Sequence, residues 1–377
     1  MEKLRKILVN ICRVVLSVTF IFSGFVKAVD PLGTQYKIAD YAIALHINHW
    51  LPDFITLFAS VVLSAVEFTL GICLLFAIQR RLTTRFILAI MVVLTPFTLW
   101  IATANPVSDC GCFGDAVTLT NWQTFWKNVF LLAAAITTAL FPKDMMRFIS
   151  KTNQWIVTNY TILFILATSG WSLYDLPVFD FRPYHIGSDL KDGWTKMING
   201  EDSPYTDLFI ESQENGDMTE EILTSKGYTF LLVAHHIEVA DDSQLDKINE
   251  LYEYAQEERI PFYCLTASSK KHIDRWIETT GAEYPFAFTD DIVLKTMIRS
   301  NPGLLLVKDG KIIGKWSHNN LPELTENPQP LNKTKEGSMP DDNVAKKMLI
   351  IALWYILPLL LLTIADRLWA WTRKIKK

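Results

Sequence analysis

Cysteine and charge are both scarce in this sequence: five cysteines in 377 residues, with Asp, Glu, Lys and Arg making up only 20%. A disulfide scaffold needs dense cysteine, so that class is excluded. Sixteen Gly and sixteen Pro are too few for a collagen-like or low-complexity chain. A net charge of −4 gives no general basic surface, and nucleic acid is not an expected partner. What the sequence does have is apolar bulk, 50% hydrophobic residues with a mean hydropathy of +0.18. That value over this length requires long apolar runs, which excludes a purely soluble enzyme.

The charge is unevenly placed. Residues 1–174 hold 13 Lys+Arg against 8 Asp+Glu, residues 175–345 hold 16 against 31, and residues 346–377 hold 7 against 1. An acidic middle between basic, apolar ends is not one uniform domain. Six runs are long enough for the roughly 20 apolar residues of a membrane span: about Ile7 to Ala28, Ile55 to Ile78, Phe86 to Thr103, Trp122 to Phe141, Trp155 to Tyr174 and Met348 to Asp366. The first follows basic residues like a secretory signal, but it is long for one and has no small-residue cleavage site, so it reads as an uncleaved anchor.

Basic residues favour the cytoplasmic side. Lys3, Arg5 and Lys6, then Arg80, Arg81 and Arg85, then Lys143, Arg147 and Lys151, then Arg367, Arg373, Lys374, Lys376 and Lys377 all mark the same side. Both termini are therefore expected in the cytoplasm. The loops at 29–54 and 104–121 and the acidic middle are expected outside, in the periplasm of a bacterium with an inner membrane. That compartment is oxidising.

The acidic segment alternates strand and helix. Tyr228–Ala234, Pro261–Leu265 and Tyr284–Phe288 read as strands, and helical spacing follows each at 243–257, 270–280 and 290–300. Leu304–Lys308 and Ile312–Trp316 form a hairpin at Asp309-Gly310, a dipeptide suited to a type I′ turn. Residues 228–317 resemble a thioredoxin-like domain, with Asn301-Pro302 where that family has its cis-proline, so Pro302 is a supporting site residue by resemblance. In place of Cys-x-x-Cys after the first strand stands His235-His236-Ile237-Glu238-Val239, which excludes the usual dithiol chemistry there. Cys264 reads as a small buried hydrophobe, and His235-His236 as a solvated loop pair. Residues 175–214 read as an irregular or strand-rich extension, and Pro322–Asp342 as a linker.

The most informative stretch is Asp109-Cys110-Gly111-Cys112-Phe113-Gly114-Asp115, in an outside loop. A disulfide between i and i+2 has poor geometry, closes almost no chain and is of the labile kind, so a redox pair is favoured over a staple. Metal ligation and an idle turn remain open. His46 and His49 would complete a Cys2His2 shell with Cys110 and Cys112 if the two loops meet. Glu67 lies inside an apolar run, where an ionisable group is costly: it is either functional or a neutral, hydrogen-bonded structural residue. Lys27 is expected to snorkel to the interface, or to favour the thiolate if the fold brings it to Cys110. Cys12 and Cys73 read as packing residues.

The first five spans resemble the DoxX-like and MauE-like membrane family, on Phe20 to Pro31, on Glu67-Phe68-Thr69-Leu70-Gly71, and on Cys110-Gly111-Cys112-Phe113-Gly114. The resemblance, about 140 N-terminal residues long, implies a four-helix, redox-associated bundle connected with methylamine utilisation and with disulfide formation in a partner enzyme. The expected chain is a polytopic α-helical membrane protein with an inserted α/β domain. Residues 1–150 form the four-helix membrane domain, 151–175 a fifth span, 176–345 the extracytoplasmic domain with its thioredoxin-like core, and 346–377 a sixth span with a basic tail. Cys110 and Cys112 are the expected catalytic residues, with Glu67 and Lys27 in support. They would pass electrons between an extracytoplasmic thiol or disulfide protein and a membrane carrier, for which a quinone is the candidate. DsbB-like and vitamin K epoxide reductase-like enzymes are analogous but carry a second outside cysteine pair, which this chain lacks. The alternative is a non-catalytic, lipid-embedded anchor whose cysteine-less domain binds a client.

Overall fold

A computed structural model describes residues 2–107, 110–205, 208–212, 216–325, 329–340 and 343–375. Asp109 of the cysteine motif, Glu214, Asp342, Lys376 and Lys377 lie outside the described residues. The chain divides into two compact units, Met1–Leu173 with Val344–Lys377, and Tyr174–Asn343.

The first unit is helical. In chain order it holds α1 (Glu2–Val29), α2 (Pro31–Ala44), α3 (Asp53–Leu75), α4 (Arg80–Ala104), α5 (Asn121–Leu140) and α6 (Gln154–Tyr174), whose last residue opens the second unit. Its final helix, Val344–Ile375, returns after the second unit. Helices α1, α3, α4 and α5 pack as a closed four-membered bundle. Among the described residues five helices are long and apolar enough to cross a membrane: α1, α3, α4, α6 and the final helix. Six were expected. The difference is α5, whose first half carries Gln123, Lys127 and Asn128. The expected loop at 29–54 contains helix α2, started by Pro31 at its first position and by Asp30, whose carboxylate accepts from the Gly33 amide at 2.9 Å.

Two glycines set how closely α1 and α3 approach. A Cβ on Gly24 would fall 2.4 Å from the Phe68 amide nitrogen, and one on Gly71 would fall 2.8 Å from Ile21. Backbones that touch in this way place the neighbouring polar residues of the two helices in direct reach of each other. Towards the other end, Arg13 is buried and donates to the carbonyls of Leu75 and Met146, each at 2.6 Å. It thereby satisfies the last carbonyl of α3.

Among the described residues the second unit is built on one seven-stranded sheet. After helix α7 (Leu190–Ile198) come β1 (Glu211–Ser212), β2 (Gly216–Asp217), α8 (Thr219–Thr224), β3 (Tyr228–Val233), α9 (Leu245–Glu257), β4 (Phe262–Thr266), α10 (Lys270–Thr280), β5 (Phe286–Phe288), α11 (Asp291–Met297), β6 (Gly303–Lys308) and β7 (Lys311–Ser317). The order is β2-β1-β5-β4-β3-β6-β7. Strands β3, β4 and β5 are parallel, while β6 and β7 continue antiparallel. Alternate residues build two cores, one on each face. Leu231, Val233 and Leu305 pack with Leu294 and Met297, whereas Phe230, Leu232 and Cys264 pack with Leu251 and Tyr254. With the unit described, the final helix is α12.

Asp309 and Gly310 both have positive φ, 50° and 82°, as a type I′ hairpin turn requires. The Asn301–Pro302 peptide is cis. Two segments are more ordered than their composition predicts. The 175–214 extension contains α7 and is pinned by Lys315, whose buried ammonium donates to Asp180 at 2.6 Å and to the carbonyls of Tyr184 and Met297. The expected linker after Pro322 is packed too: Leu324 and Leu331 are buried, and the Tyr228 and Tyr254 hydroxyls donate to the carbonyls of Gly337 and Gln329.

Candidate functional site

The cysteine loop joins α4 to α5 and is clamped at both ends. Asn105 ends α4 in the left-handed conformation, and Asn121 at the start of α5 donates to the Asn105 side chain at 2.8 Å and the Val107 carbonyl at 3.1 Å. Thr120 and Gln123 cap α5 reciprocally. Within the loop, Gly111 and Gly114 have φ of +62° and +52°, a region that favours glycine, and their turn is closed by a 3.1 Å backbone hydrogen bond. The turn brings the Cys110 and Cys112 sulfurs to 3.1 Å. Both are thiols, half-buried.

Three elements hold the loop from beneath. From α1, Ser23 donates to the Cys112 carbonyl at 2.8 Å and Lys27 to the same oxygen at 3.1 Å. From α2, Tyr41 donates to the Cys110 carbonyl at 2.7 Å. From α3, Glu67 accepts from Lys27 at 2.7 Å and lies 2.8 Å from the Ser23 hydroxyl, whose single proton is shared between this carboxylate and the Cys112 carbonyl. Lys27 and Glu67 are only 7% and 6% exposed. Lys27 therefore does not snorkel: the close α1–α3 contact carries its ammonium to Glu67, and a paired buried cation costs less than an orphaned one. It also reaches the carbonyl of Cys112 and lines the same cavity as Cys110. Glu67 is buried and engaged by both Lys27 and Ser23.

A cavity of about 210 Å³ opens beside the two thiols, lined mostly by apolar side chains, with Lys37, Lys127 and Tyr41 among its polar groups. Phe113 packs on Phe22 with ring centroids 5.3 Å apart, and the Lys127 ammonium lies 4.2 Å from the Phe113 ring centroid. Two touching thiols do not ionise alike. Contact with the Cys110 thiol lowers Cys112, and Lys127 and Lys27 assist, although burial and Glu67 oppose this. Cys110 is pushed up by the same contact and by burial. The arrangement prepares one thiolate with a second thiol in contact.

Ser23, Tyr41, Lys37 and Lys127 were not anticipated from sequence. Ser23 had a signal, since it lies one helical turn from Lys27 on the same face. Tyr41 and Lys127 had none, because only the folding of α2 and α5 around the loop brings them in. Among the described residues no group of three or more His, Cys, Asp or Glu side chains is placed to hold a metal. The Cys2His2 shell with His46 and His49 is thus not assembled, and both histidines are exposed. In the second unit His235 is buried at 4% exposure and bonded to the Ile298 carbonyl, which corrects its reading as a solvated residue. His236 does face solvent, with Nε2 3.2 Å from Asp291. Cys264 is buried in strand β4, and burial pushes its thiol well above the usual range. Pro302 lies in the second unit, where its carbonyl accepts from the Ser300 hydroxyl at 2.5 Å.

Residues 5–141 match the family model of methylamine utilisation protein MauE. The matched region spans the four bundle helices and the cysteine loop, and together with the apolar helices it supports a MauE-like integral membrane protein. No curated protein and no solved structure matches the chain.

Proposed function

We propose that this chain is a bacterial inner-membrane thiol–disulfide redox protein in which Cys110 and Cys112 pass electron pairs between an extracytoplasmic protein and a membrane carrier. The observation that carries the reading is the 3.1 Å contact of the two sulfurs beside a cavity, over a buried Lys27–Glu67 pair that fixes the Cys112 carbonyl. The family match over residues 5–141 supports a place in methylamine utilisation.

In the oxidising direction, the thiolate of a reduced partner attacks one sulfur of the Cys110–Cys112 disulfide. The S–S bond breaks, a mixed disulfide forms, and the other cysteine leaves as a thiolate. A second partner thiolate then attacks the mixed disulfide and releases the partner oxidised by two electrons, while Cys110 and Cys112 take up two protons. A quinone of the membrane would accept the electron pair and both protons as the disulfide is restored. Cys112, the more acidic thiol, is the leaving group the geometry favours, and Lys27 and Ser23 hold its backbone still. The acidic unit at 176–345, with its thioredoxin-like order of elements at 228–317, extends outside the membrane and carries no dithiol of its own. Its role in this scheme is to present the partner.

The test is thiol trapping with a mass tag in native membranes, in a chain whose Cys12, Cys73 and Cys264 are replaced by Ala. Two tags are expected after reduction and none after oxidation, with a single tag insensitive to oxidant in Cys110→Ser. An unchanged redox-dependent shift in Cys110→Ser would end the proposal. Full function in cells of Cys110→Ser/Cys112→Ser would leave the client-binding anchor as the better reading. Exposed Val239 and Ile292, which flank the His236–Asp291 contact, favour that second reading.

A further inference from the structure

A second cavity, of about 440 Å³, is bounded by Arg5 at the start of α1, by Arg81 and Arg85 in the first turns of α4, and by Lys143 just after α5. Among the described residues that line it Asp144 is the one acid, and it is engaged with Arg5 at 2.7 Å. Arg5 is further held with its guanidinium 4.8 Å from the Phe141 ring centroid. Arg81, Arg85 and Lys143 have no side-chain hydrogen bond or ion pair among the described residues. Arg81 and Arg85 are one turn apart and share a helix face. Three unpaired cations around one concavity repel one another and leave guanidinium forks available, the donor geometry that matches phosphate oxygens.

The position of the cavity selects the source of that phosphate. Arg5 and Lys27 are 22 positions apart on α1, roughly 33 Å at helical rise. The hydrocarbon core of a bilayer is about 30 Å thick. With the cysteine loop at one interface, the cavity therefore lies at headgroup depth on the other. Exposed apolar side chains continue from it along the same helices, Leu8 on α1, Leu82 and Phe86 on α4, and Leu140 on α5. A free phosphate has no use for that surface, whereas acyl chains do. We propose that this cavity binds the phosphodiester headgroup of an anionic membrane phospholipid, with Arg81, Arg85 and Lys143 as the phosphate ligands.

Native mass spectrometry of the full-length protein in detergent tests this, titrating phosphatidylglycerol, phosphatidylcholine and, separately, inorganic phosphate. Phosphatidylglycerol should be retained in preference to phosphatidylcholine. Its Kd should rise about 30-fold in Arg81→Gln/Arg85→Gln, with a change of less than about twofold in the charge-matched Lys3→Gln/Lys151→Gln. Equal weakening in both variants, equal retention of the two lipids, or displacement of phosphatidylglycerol by millimolar inorganic phosphate would each overturn the proposal. If the double arginine variant does not fold, Lys143→Gln carries the same test: a severalfold weaker Kd supports the site, and an unchanged one overturns it.

Discussion

At the scale of single residues, the site works by making two identical side chains unequal. Both cysteines share a loop and touch, yet Cys112 is lowered by that contact and by the field of Lys127 and Lys27. The sign for reactivity follows from the direction of the shift. A lowered thiol becomes thiolate at a lower pH than an ordinary thiol near 8.5. Alkylation of Cys112 in the reduced protein should therefore be half-maximal below the roughly 8.5 of an ordinary thiol, and a midpoint at or above that value would remove the asymmetry. Lys27→Met should destabilise the protein by about 3–5 kcal/mol, because it leaves Glu67 as an uncompensated buried carboxyl. Lys27→Met/Glu67→Leu should recover most of that in a thermal melt while moving the Cys112 midpoint upward. The cysteine pair was legible in the sequence from its spacing and flanking glycines. The destination of Lys27 was not, since snorkelling and burial are equally open to a lysine near a helix end until its neighbour is known.

At the scale of elements, the decisive contact is α1 against α3. Gly24 and Gly71 let these helices approach until Ser23, Lys27 and Glu67 share hydrogen bonds. Gly24→Val would place side-chain carbons against the Phe68 and Ser64 backbones, which lie 2.4 and 2.8 Å from an added Cβ. Overpacking of that kind costs about 1–3 kcal/mol. A lowered melting temperature in detergent is expected, together with loss of the low Cys112 midpoint. Gly170→Ala on α6 is the control, because a Cβ there meets nothing within 4 Å; it should be neutral or slightly stabilising. Most elements were readable from periodicity, including all three parallel strands and the hairpin. Helix α2 was not: its helical residues lie between two longer apolar runs, and position in a presumed loop masked its Asp30-Pro31 start signal. The segment after Pro322 misled in the opposite way, since a Pro- and Asn-rich composition does not reveal that Leu324 and Leu331 are covered by the sheet.

At the scale of the whole molecule, the partition of charge accompanies the partition into units. The acidic stretch falls in the second unit, and the basic clusters fall in the helical unit near helix ends. If the acidic unit is extracytoplasmic and the basic loops are not, single-cysteine chains will report it. Lys270→Cys should react with a membrane-impermeant maleimide on intact spheroplasts, and Lys143→Cys should react only after the membrane is broken. The reverse pattern would invert the orientation and place the thiols Cys110 and Cys112 in a reducing compartment.

The sequence alone determined that this chain is embedded in a membrane, that an α/β unit is inserted between its helices, and that Cys110 and Cys112 are the residues to ask about. Those properties follow from run length, period and spacing, which are local in the chain. Only the tertiary structure decided that Lys27 joins Glu67, that Ser23 and Tyr41 hold the cysteine loop, and that Arg81, Arg85 and Lys143 surround one cavity. Each of these depends on which helix faces meet, and that is set by the packing of residues far apart in sequence around two glycines whose close approach no local pattern records.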